Sequence, residues 1–291
     1  MRILADKWEQ YSCIDAGDGE KLERWENILL RRPDPQAVWT KSLNEKKWNE
    51  VHGHYHRSNH GGGSWQFKKR LPDTWTVKYR DLTFKVSPTG FKHTGLFPEQ
   101  AVNWDWMRNK IETSDLKEIR ILNLFAYTGA ATMACSKAGA TEVVHVDASK
   151  GMVAWAKENM ELCELGDHHI RFIVDDCIKF LQREKRRGRT YHGIVMDPPS
   201  YGRGPNGEIW KLEEQLNELI NAALEVLDQD ALFFLVNSYT TGFSSTVLEN
   251  ILKMTVQKAM PHGKIEAGEI GLPTESGLIL PCGIFGRWSH D

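Results

Sequence analysis

From Ile119 to Lys258, apolar runs of five or six residues alternate with longer stretches of helical period, and this alternation limits the possible folds more than any other feature. The runs expected as strands are 119–124, 142–146, 170–174, 191–196 and 231–236. Segments 130–137, 150–162, 177–186, 208–227 and 244–258 read as helices. A strand that is followed by a helix and then by another strand crosses over its sheet. The pattern therefore predicts a parallel sheet with helices on both faces. Two final strands, 264–269 and 278–288, have no helix between them and predict an antiparallel hairpin at the sheet edge.

Before about residue 90 the pattern changes. Short runs at 25–31, 64–68, 74–79 and 82–86 read as strands, separated by the turn signals G-D-G (17–19), R-P-D-P (32–35) and L-P-D (71–73). They predict a small antiparallel β-rich domain over residues 1–92, ahead of a second domain over 93–291 that a helix from Pro98 to Lys110 introduces. Six of the eleven tryptophans (Trp8, Trp25, Trp39, Trp48, Trp65 and Trp75) precede residue 80. In a small β-rich domain such rings fill the core, a reading preferred here over a base-stacking platform. The stretch H-G-H-Y-H-R-S-N-H-G-G-G (52–63) holds His52, His54, His56 and His60. Zinc takes histidines from rigid flanking elements, so this glycine-rich segment reads as a mobile, exposed loop and no metal is expected.

Thirty-seven Lys and Arg stand against thirty-nine Asp and Glu, for a net charge of −2. A nucleic-acid substrate would therefore need a local basic surface. The densest basic run, Arg183–Arg189, precedes a central strand and so lies away from the carboxyl ends of the strands, where ligands bind. It reads as a solvated helix end. Five dispersed cysteines without C-x-x-C spacing indicate reduced thiols and a cytoplasmic location. No signal peptide and no membrane-length apolar run is read, and no feature sets an oligomeric state.

Four motifs carry chemistry. In I-L-N-L-F-A-Y-T-G-A-A (121–131) a strand runs into a turn at Gly129 and then into a helix of small residues. Glycine permits close backbone approach, and the helix N-terminus offers unpaired N–H groups. With one glycine in the turn, the G-x-G-x-x-G fingerprint that cradles a pyrophosphate is missing, which counts against NAD. In V-V-H-V-D-A-S (143–149), Asp147 ends the second strand, where a carboxylate can accept from ribose hydroxyls, while Ser149 can cap the next helix. In I-V-D-D-C (173–177), Asp175 or, better placed, Asp176 can accept from an adenine amine, the competing role being a helix N-cap. In I-V-M-D-P-P-S-Y-G-R-G (194–204), Asp197 ends the fourth strand at the crevice where strand order reverses. Pro198 and Pro199 stiffen the loop, and Tyr201 can stack on a planar substrate.

In this order, N-L-F-A-Y-T-G, V-D-A-S, V-D-D and D-P-P-S-Y resemble the class I S-adenosylmethionine-dependent methyltransferases. They look most like the bacterial family that contains the 23S ribosomal RNA cytosine-5 and guanine methyltransferases. The resemblance covers roughly residues 90–288, with F-K-H-T-G-L-F-P-E-Q (91–100) and A-K-E-N (156–159) as further matches. The segments 14–25 and 31–37 resemble uncharacterised methyltransferases of the same group. The resemblance implies a Rossmann-like α/β methyltransferase sheet with an antiparallel terminal hairpin, behind the small N-terminal β-rich domain. It implies S-adenosyl-L-methionine as cofactor and a ribosomal RNA base as substrate. Phe125, Ala126, Tyr127, Thr128 and Gly129 would line the methionine end of the cofactor, Asp147 would hold the ribose and Asp176 the adenine. Asn123, Ala148, Ser149 and Cys177 complete the implied cofactor set. Asp197, Pro198, Pro199 and Tyr201 would face the methyl group and its acceptor, with Asp197 orienting the acceptor or taking its proton.

Cytosine-5 methylation needs a cysteine that adds to the pyrimidine ring. Relatives that do this chemistry carry it in the loop after the fifth strand. Here that loop reads V-N-S-Y-T-T-G (236–242), and the D-P-P loop also lacks cysteine, which argues against cytosine-5 chemistry. Ser200 stands where amine-methylating D-P-P enzymes carry an aromatic, with Tyr201 one place later. Two other classes compete with an RNA methyltransferase. One is methylation of a protein side chain or small metabolite, which predicts an enclosed cleft. The other is a non-catalytic S-adenosylmethionine-binding module, which would not require the D-P-P loop.

Overall fold

Runs such as Val143-Val144 and Ile121-Leu122 are fully buried without polar alternation, so they belong in a sheet covered on both faces. The computed structural model describes residues 1–58, 62–203, 209–240 and 242–290. In chain order its elements begin with β1 (Arg2–Leu4), β2 (Tyr11–Gly17), β3 (Glu20–Trp25), β4 (Ile28–Pro33), α1 (Glu45–Asn49), β5 (Gly53–Arg57), β6 (Gly63–Phe67), β7 (Trp75–Tyr79) and β8 (Leu82–Val86). They continue with α2 (Ala101–Glu112), β9 (Arg120–Leu124), α3 (Ala130–Lys137), β10 (Glu142–Asp147), α4 (Lys150–Leu162), β11 (Ile170–Val174), α5 (Cys177–Arg186) and β12 (Gly193–Met196). The remainder is β13 (Tyr201–Arg203), β14 (Ile209–Lys211), α6 (Leu212–Leu224), β15 (Phe233–Ser238), α7 (Ser245–Met254), α8 (Val256–Ala259), β16 (Lys264–Pro273) and β17 (Ile279–Ser289). The chain divides into two compact units. One holds Met1, Asn103–Glu269 and Gly283–Asp291, and the other holds Arg2–Val102 and Ile270–Cys282.

An eight-stranded sheet runs in the order β1-β16-β17-β15-β12-β9-β10-β11. The four pairings among β15, β12, β9, β10 and β11 are parallel, and β17 joins β15 antiparallel. From β9 the chain moves outward to β10 and β11, then returns to β12 on the other side of β9. The strand order thus reverses between β9 and β12. One core layer packs Leu122, Leu124, Val146, Ile194, Met196 and Phe234 of the sheet against Phe180, Leu216, Ile220 and Leu248 of the helices. Each such side chain contributes roughly 1.5–3 kcal/mol by leaving water. The α/β architecture expected from the alternation is present, as is a β-rich sheet near the N-terminus.

Several details correct the sequence expectations. The terminal hairpin is not the edge of the sheet, because the short β1 lies beyond β16. Residues 208–227 are not one helix. Ile209–Lys211 form β14 antiparallel to β13, and the helix starts at Leu212. The helix expected at 244–258 breaks into α7 and α8 at Thr255. The run 25–31 is not one strand either, since Trp25 pairs with Ile28 across a tight turn in which Glu26 takes a φ of 57°.

The N-terminal five-stranded sheet has the order β2-β3-β4-β5-β6, with β7 and β8 as a separate pair. It is mixed rather than antiparallel throughout, because β4 and β5 run parallel. Trp25 and Trp48 are fully buried, and the Trp48 indole donates to the buried Asp15 carboxylate at 3.0 Å. The 52–63 stretch is not simply a loop. His54 and His56 lie in β5, His54 Nε2 sits 2.9 Å from Glu20 Oε1, and His52 Nδ1 accepts from the Leu29 amide. His60 lies outside the described residues. Among the described residues no group of three or more His, Cys, Asp or Glu is arranged to hold a metal, and no helix is long and apolar enough to cross a membrane.

Candidate functional site

Register places the site. Leu124, the last residue of β9, pairs with Met196, the last of β12, so Phe125 and Asp197 are the first residues beyond two adjacent parallel strands. Val146 pairs with Leu124 on the other side, which brings Asp147 to the same end. This is the point of strand reversal, where an open α/β sheet forms a crevice beyond the carboxyl ends of its strands.

The turn after β9 is under strain. Phe125 and Tyr127 adopt left-handed backbone with φ of 54° and 50°, and Gly129 follows at 84°. For a residue with a Cβ this conformation costs ~1–2 kcal/mol, and it persists only where neighbours fix it. Four contacts do so. Ala126 N–H donates to Val146 O at 3.0 Å, and Tyr127 N–H donates to Asp147 Oδ2 at 2.8 Å. The buried Asn159 amide donates to Thr128 O at 2.9 Å, and Gly129 N–H donates to Ala126 O at 2.9 Å. Gly129 is required twice over, because a Cβ there would also lie 3.0 Å from Ala156 Cβ and 3.1 Å from Met133 Cε. These four hydrogen bonds hold the shape of the turn that leads into α3.

Asp147 divides its oxygens between Tyr127 N–H and Ser149 N–H, both at 2.8 Å. Burial raises its pKa above the ordinary carboxylate value, opposed by those two donors. Ser149 caps α4 through Met152 N–H, so Asp147 does not serve as that cap. At the end of β11, Asp175 is engaged on both oxygens, by the Asp176 amide and by the Arg183 guanidinium. Asp176 caps α5 through Oδ1, which accepts from Lys179 N–H at 2.9 Å. Asp176 is therefore the helix cap, the competing role that the sequence left open for it.

Two residues expected at the cofactor are turned inward. Asn123 is buried and its amide donates to Thr132 Oγ1 at 2.9 Å, beneath α3. It braces the turn rather than lining it. The Cys177 thiol packs in the core, with its pKa raised by burial, and it accepts a hydrogen bond from the Phe125 backbone. Ala148 is exposed beside Asp147.

The D-P-P loop leads directly into β13, where Tyr201 is 52% exposed. Gly204, the last residue of that motif, lies outside the described residues. Pro199 O accepts from Trp210 Nε1 at 2.6 Å, and the Trp210 ring lies 5.9 Å from that of Phe125. Thr240 Oγ1 donates to Ser200 Oγ at 2.7 Å, which ties the D-P-P loop to the segment after β15. Trp210 and Thr240 escaped sequence reasoning. Trp210 sits in a stretch whose pattern reads as helix, and no motif marks Thr240 in its loop. In that loop Asn237 joins a buried chain in which it accepts from Asn103 and Asn103 accepts from Arg287. Thr241 falls outside the described residues.

All five cysteines are buried, and burial pushes the Cys135 thiol up to about 12. None is set up as a thiolate nucleophile. In the basic run, Arg183 pairs with Asp175 just beyond the carboxyl end of β11, Arg187 pairs with Glu184, and Arg189 pairs, through Glu142, at the opposite end of the sheet from the site.

A family model described as S-adenosylmethionine-dependent methyltransferase matches residues 36–223. A crystal structure of a SAM-dependent methyltransferase from Agrobacterium tumefaciens is similar at 35% identity and a TM-score of 0.92, covering 100% of this chain and 94% of that one. The ribosomal RNA large subunit methyltransferase K of Neisseria meningitidis serogroup B is 27% identical over 245 residues, 81% of this chain and 66% of that protein. The ribosomal RNA large subunit methyltransferase K/L of Magnetococcus marinus is 33% identical over 160 residues, 54% of this chain. The present chain spans only 21% of that second curated relative's length.

Proposed function

The chain belongs to the S-adenosylmethionine-dependent methyltransferase family, and on that premise we propose that it transfers a methyl group from S-adenosylmethionine to a base of ribosomal RNA in the cytoplasm. The pairing of Leu124 with Met196 carries this reading, because it sets the Phe125–Gly129 turn beside the Asp197–Tyr201 loop. The residues present fit the cofactor. Gly129 lets the turn pack closely on Ala156 and Met133, the turn offers helix N-terminal amides, Asp147 ends the next strand and Asp176 caps the helix that follows β11. In this reading the turn takes the methionine end, Asp147 the ribose and Asp176 the adenine.

When bound, the cofactor supplies an electrophilic methyl group on a sulfonium. The chain has to align the acceptor, exclude water and manage one proton. Asp197 is assigned to hold the acceptor N–H or O–H and to receive its proton. The Pro198 carbonyl is the backbone partner for an exocyclic amine, because Trp210 Nε1 takes the Pro199 carbonyl. Tyr201 stacks on the base. The absence of cysteine from both loops supports an acceptor other than cytosine C5. The names of the curated relatives support RNA as the substrate class.

The test is transfer of labelled methyl from S-adenosylmethionine to deproteinised RNA, total protein and small-molecule extract from cells lacking the gene. Label in RNA is expected. Label confined to protein or metabolites would overturn the substrate while keeping the enzyme. Asp197→Ala is expected to abolish transfer and spare cofactor binding, and survival of transfer would overturn the role assigned to Asp197.

A further inference from the structure

Four cations of the basic run (Arg183, Lys185, Arg187 and Arg189) are engaged in ion pairs, so in this chain of net charge −2 a second basic surface is worth seeking for an RNA strand. Residues 45–70 hold six exposed cations (Lys46, Lys47, Arg57, Lys68, Lys69 and Arg70) against two carboxylates. Of those two, Glu45 is paired with Arg31 and Lys41, and Glu50 with Lys47. Lys68, Lys69 and Arg70 directly follow β6, Arg57 ends β5, and Lys46 and Lys47 lie on α1. Lys68 Nζ donates to Asn49 Oδ1, and Lys69 Nζ donates to Glu50 O.

The same edge presents aromatic faces. Strand β6 is the last strand of its sheet. Trp65 and Phe67, two residues apart and so on one face, hold their rings parallel to within 6° at 6.1 Å. Gly53, directly across from Phe67, makes this possible, since a Cβ there would lie 3.3 Å from each ring. Trp65 Nε1 donates to Thr89 O at 2.9 Å, which fixes the plane of the pair. Phe67 is 54% exposed although it lies in a regular strand. Alternation puts Arg57 on the same face at the far end, opposite Gly63.

We propose that this edge is a binding surface for single-stranded RNA, with a base stacked on Phe67 and phosphates running from Lys68, Lys69 and Arg70 toward Arg57. It rests on the RNA reading above and supplies the basic surface which that reading requires. An ordered aromatic platform flanked by cations is the arrangement that holds unpaired strands without regard to sequence, since every base has a face to stack.

The experiment is fluorescence anisotropy of a labelled single-stranded oligoribonucleotide of about 12 nucleotides, within the usual site size for one such platform. The full chain is compared with Phe67→Ala and with Lys68→Ala/Lys69→Ala/Arg70→Ala. Phe67→Ala is expected to weaken binding about tenfold. The triple variant is expected to lower the slope of log K against log salt by about 2. Thermal unfolding stays in place for both, because the four side chains are exposed. Equal binding by all three proteins, or no affinity for the strand, overturns the surface. A dimer that Phe67→Ala dissolves, without strand affinity, also overturns it, because the edge then pairs with a second copy. Methyl transfer measured in parallel separates the two readings. Label in RNA with binding insensitive to the variants refutes the surface alone. Patch-dependent binding without label in RNA supports the surface and refutes the substrate.

Discussion

Asp147→Asn separates the two tasks given to that carboxylate. In the structure Oδ2 accepts from Tyr127 N–H and Oδ1 from Ser149 N–H, both at 2.8 Å. Asparagine keeps one acceptor oxygen and puts an amine where the other stood, so one backbone N–H faces a donor. A hydrogen bond to a charged group contributes ~1.5–3 kcal/mol, and the unfolding free energy is expected to fall by about that much. The ribose hydroxyls lose a charged acceptor as well, and at ~1.4 kcal/mol per tenfold the affinity for S-adenosylmethionine should fall roughly 10- to 100-fold. Urea unfolding with and without cofactor, together with titration calorimetry, measures both effects. Bound cofactor adds RT ln(1 + [L]/Kd) to the unfolding free energy, so the stabilising increment should shrink in the variant. Lower stability with unchanged cofactor affinity would refute the ribose role and leave Asp147 as a brace for the turn. Unchanged stability would refute the value given to its two hydrogen bonds.

Gly129→Ala forces a side chain into left-handed backbone at a φ of 84° and against Ala156 and Met133. The backbone term is ~1–2 kcal/mol and crowding adds ~1–3 kcal/mol. A measured loss in urea of less than about 1 kcal/mol would contradict both terms. Trp210→Phe keeps an aromatic ring, though a smaller one, and removes the donor to Pro199 O. It should lower kcat about five- to tenfold, the worth of one hydrogen bond, with cofactor affinity intact; an unchanged kcat would count against a positioning role for Trp210. Burial pushes His145 down to about 3 from an ordinary 6.5. The fold keeps its ring neutral while the unfolded chain gains a proton. Its contribution is therefore complete above pH ~6.5 and is lost as pH falls toward ~3, by at most ~1.4 kcal/mol per unit. His145→Phe should flatten part of the stability-versus-pH slope in that window, with the remainder owed to groups such as His93, which burial lowers to about 4. An identical slope in the variant would show that His145 is not held neutral.

The catalytic sheet was legible because its strands are short, apolar throughout and separated by helices of ordinary length. Ala130–Lys137, Lys150–Leu162, Ile170–Val174 and Cys177–Arg186 have the bounds that their patterns predict. Strand ends were legible for the same reason, which is why Phe125, Asp147 and Asp197 could be set together before any distance was known. What was not legible depends on partners remote in sequence. Ile209–Trp210–Lys211 has no period long enough to tell strand from helix, and its pairing with Tyr201–Arg203 decides the matter. Glu26 has little intrinsic preference for positive φ, so the turn that splits 25–31 carries no local signal. Asn123 and Cys177 sit in the right motifs, but side-chain direction at a strand or a helix start depends on the packing of Thr132 and Phe125. Phe67 was passed over because a strand pattern does not say which aromatic faces water.

The smaller unit is made of two pieces of chain, Arg2–Val102 and Ile270–Cys282. Within it Ala5 N–H donates to Gly271 O, Glu275 N–H donates to Cys13 O, and Ser276 Oγ donates to Asp15 Oδ1. During synthesis the first piece leaves the ribosome long before the second exists. At about 5–20 residues per second the wait lasts on the order of 10–30 s. The nascent N-terminal sheet must pass that interval with part of its interior open to chaperones and proteases. Completion of this early-made unit is thus timed by the translation of Ile270–Cys282.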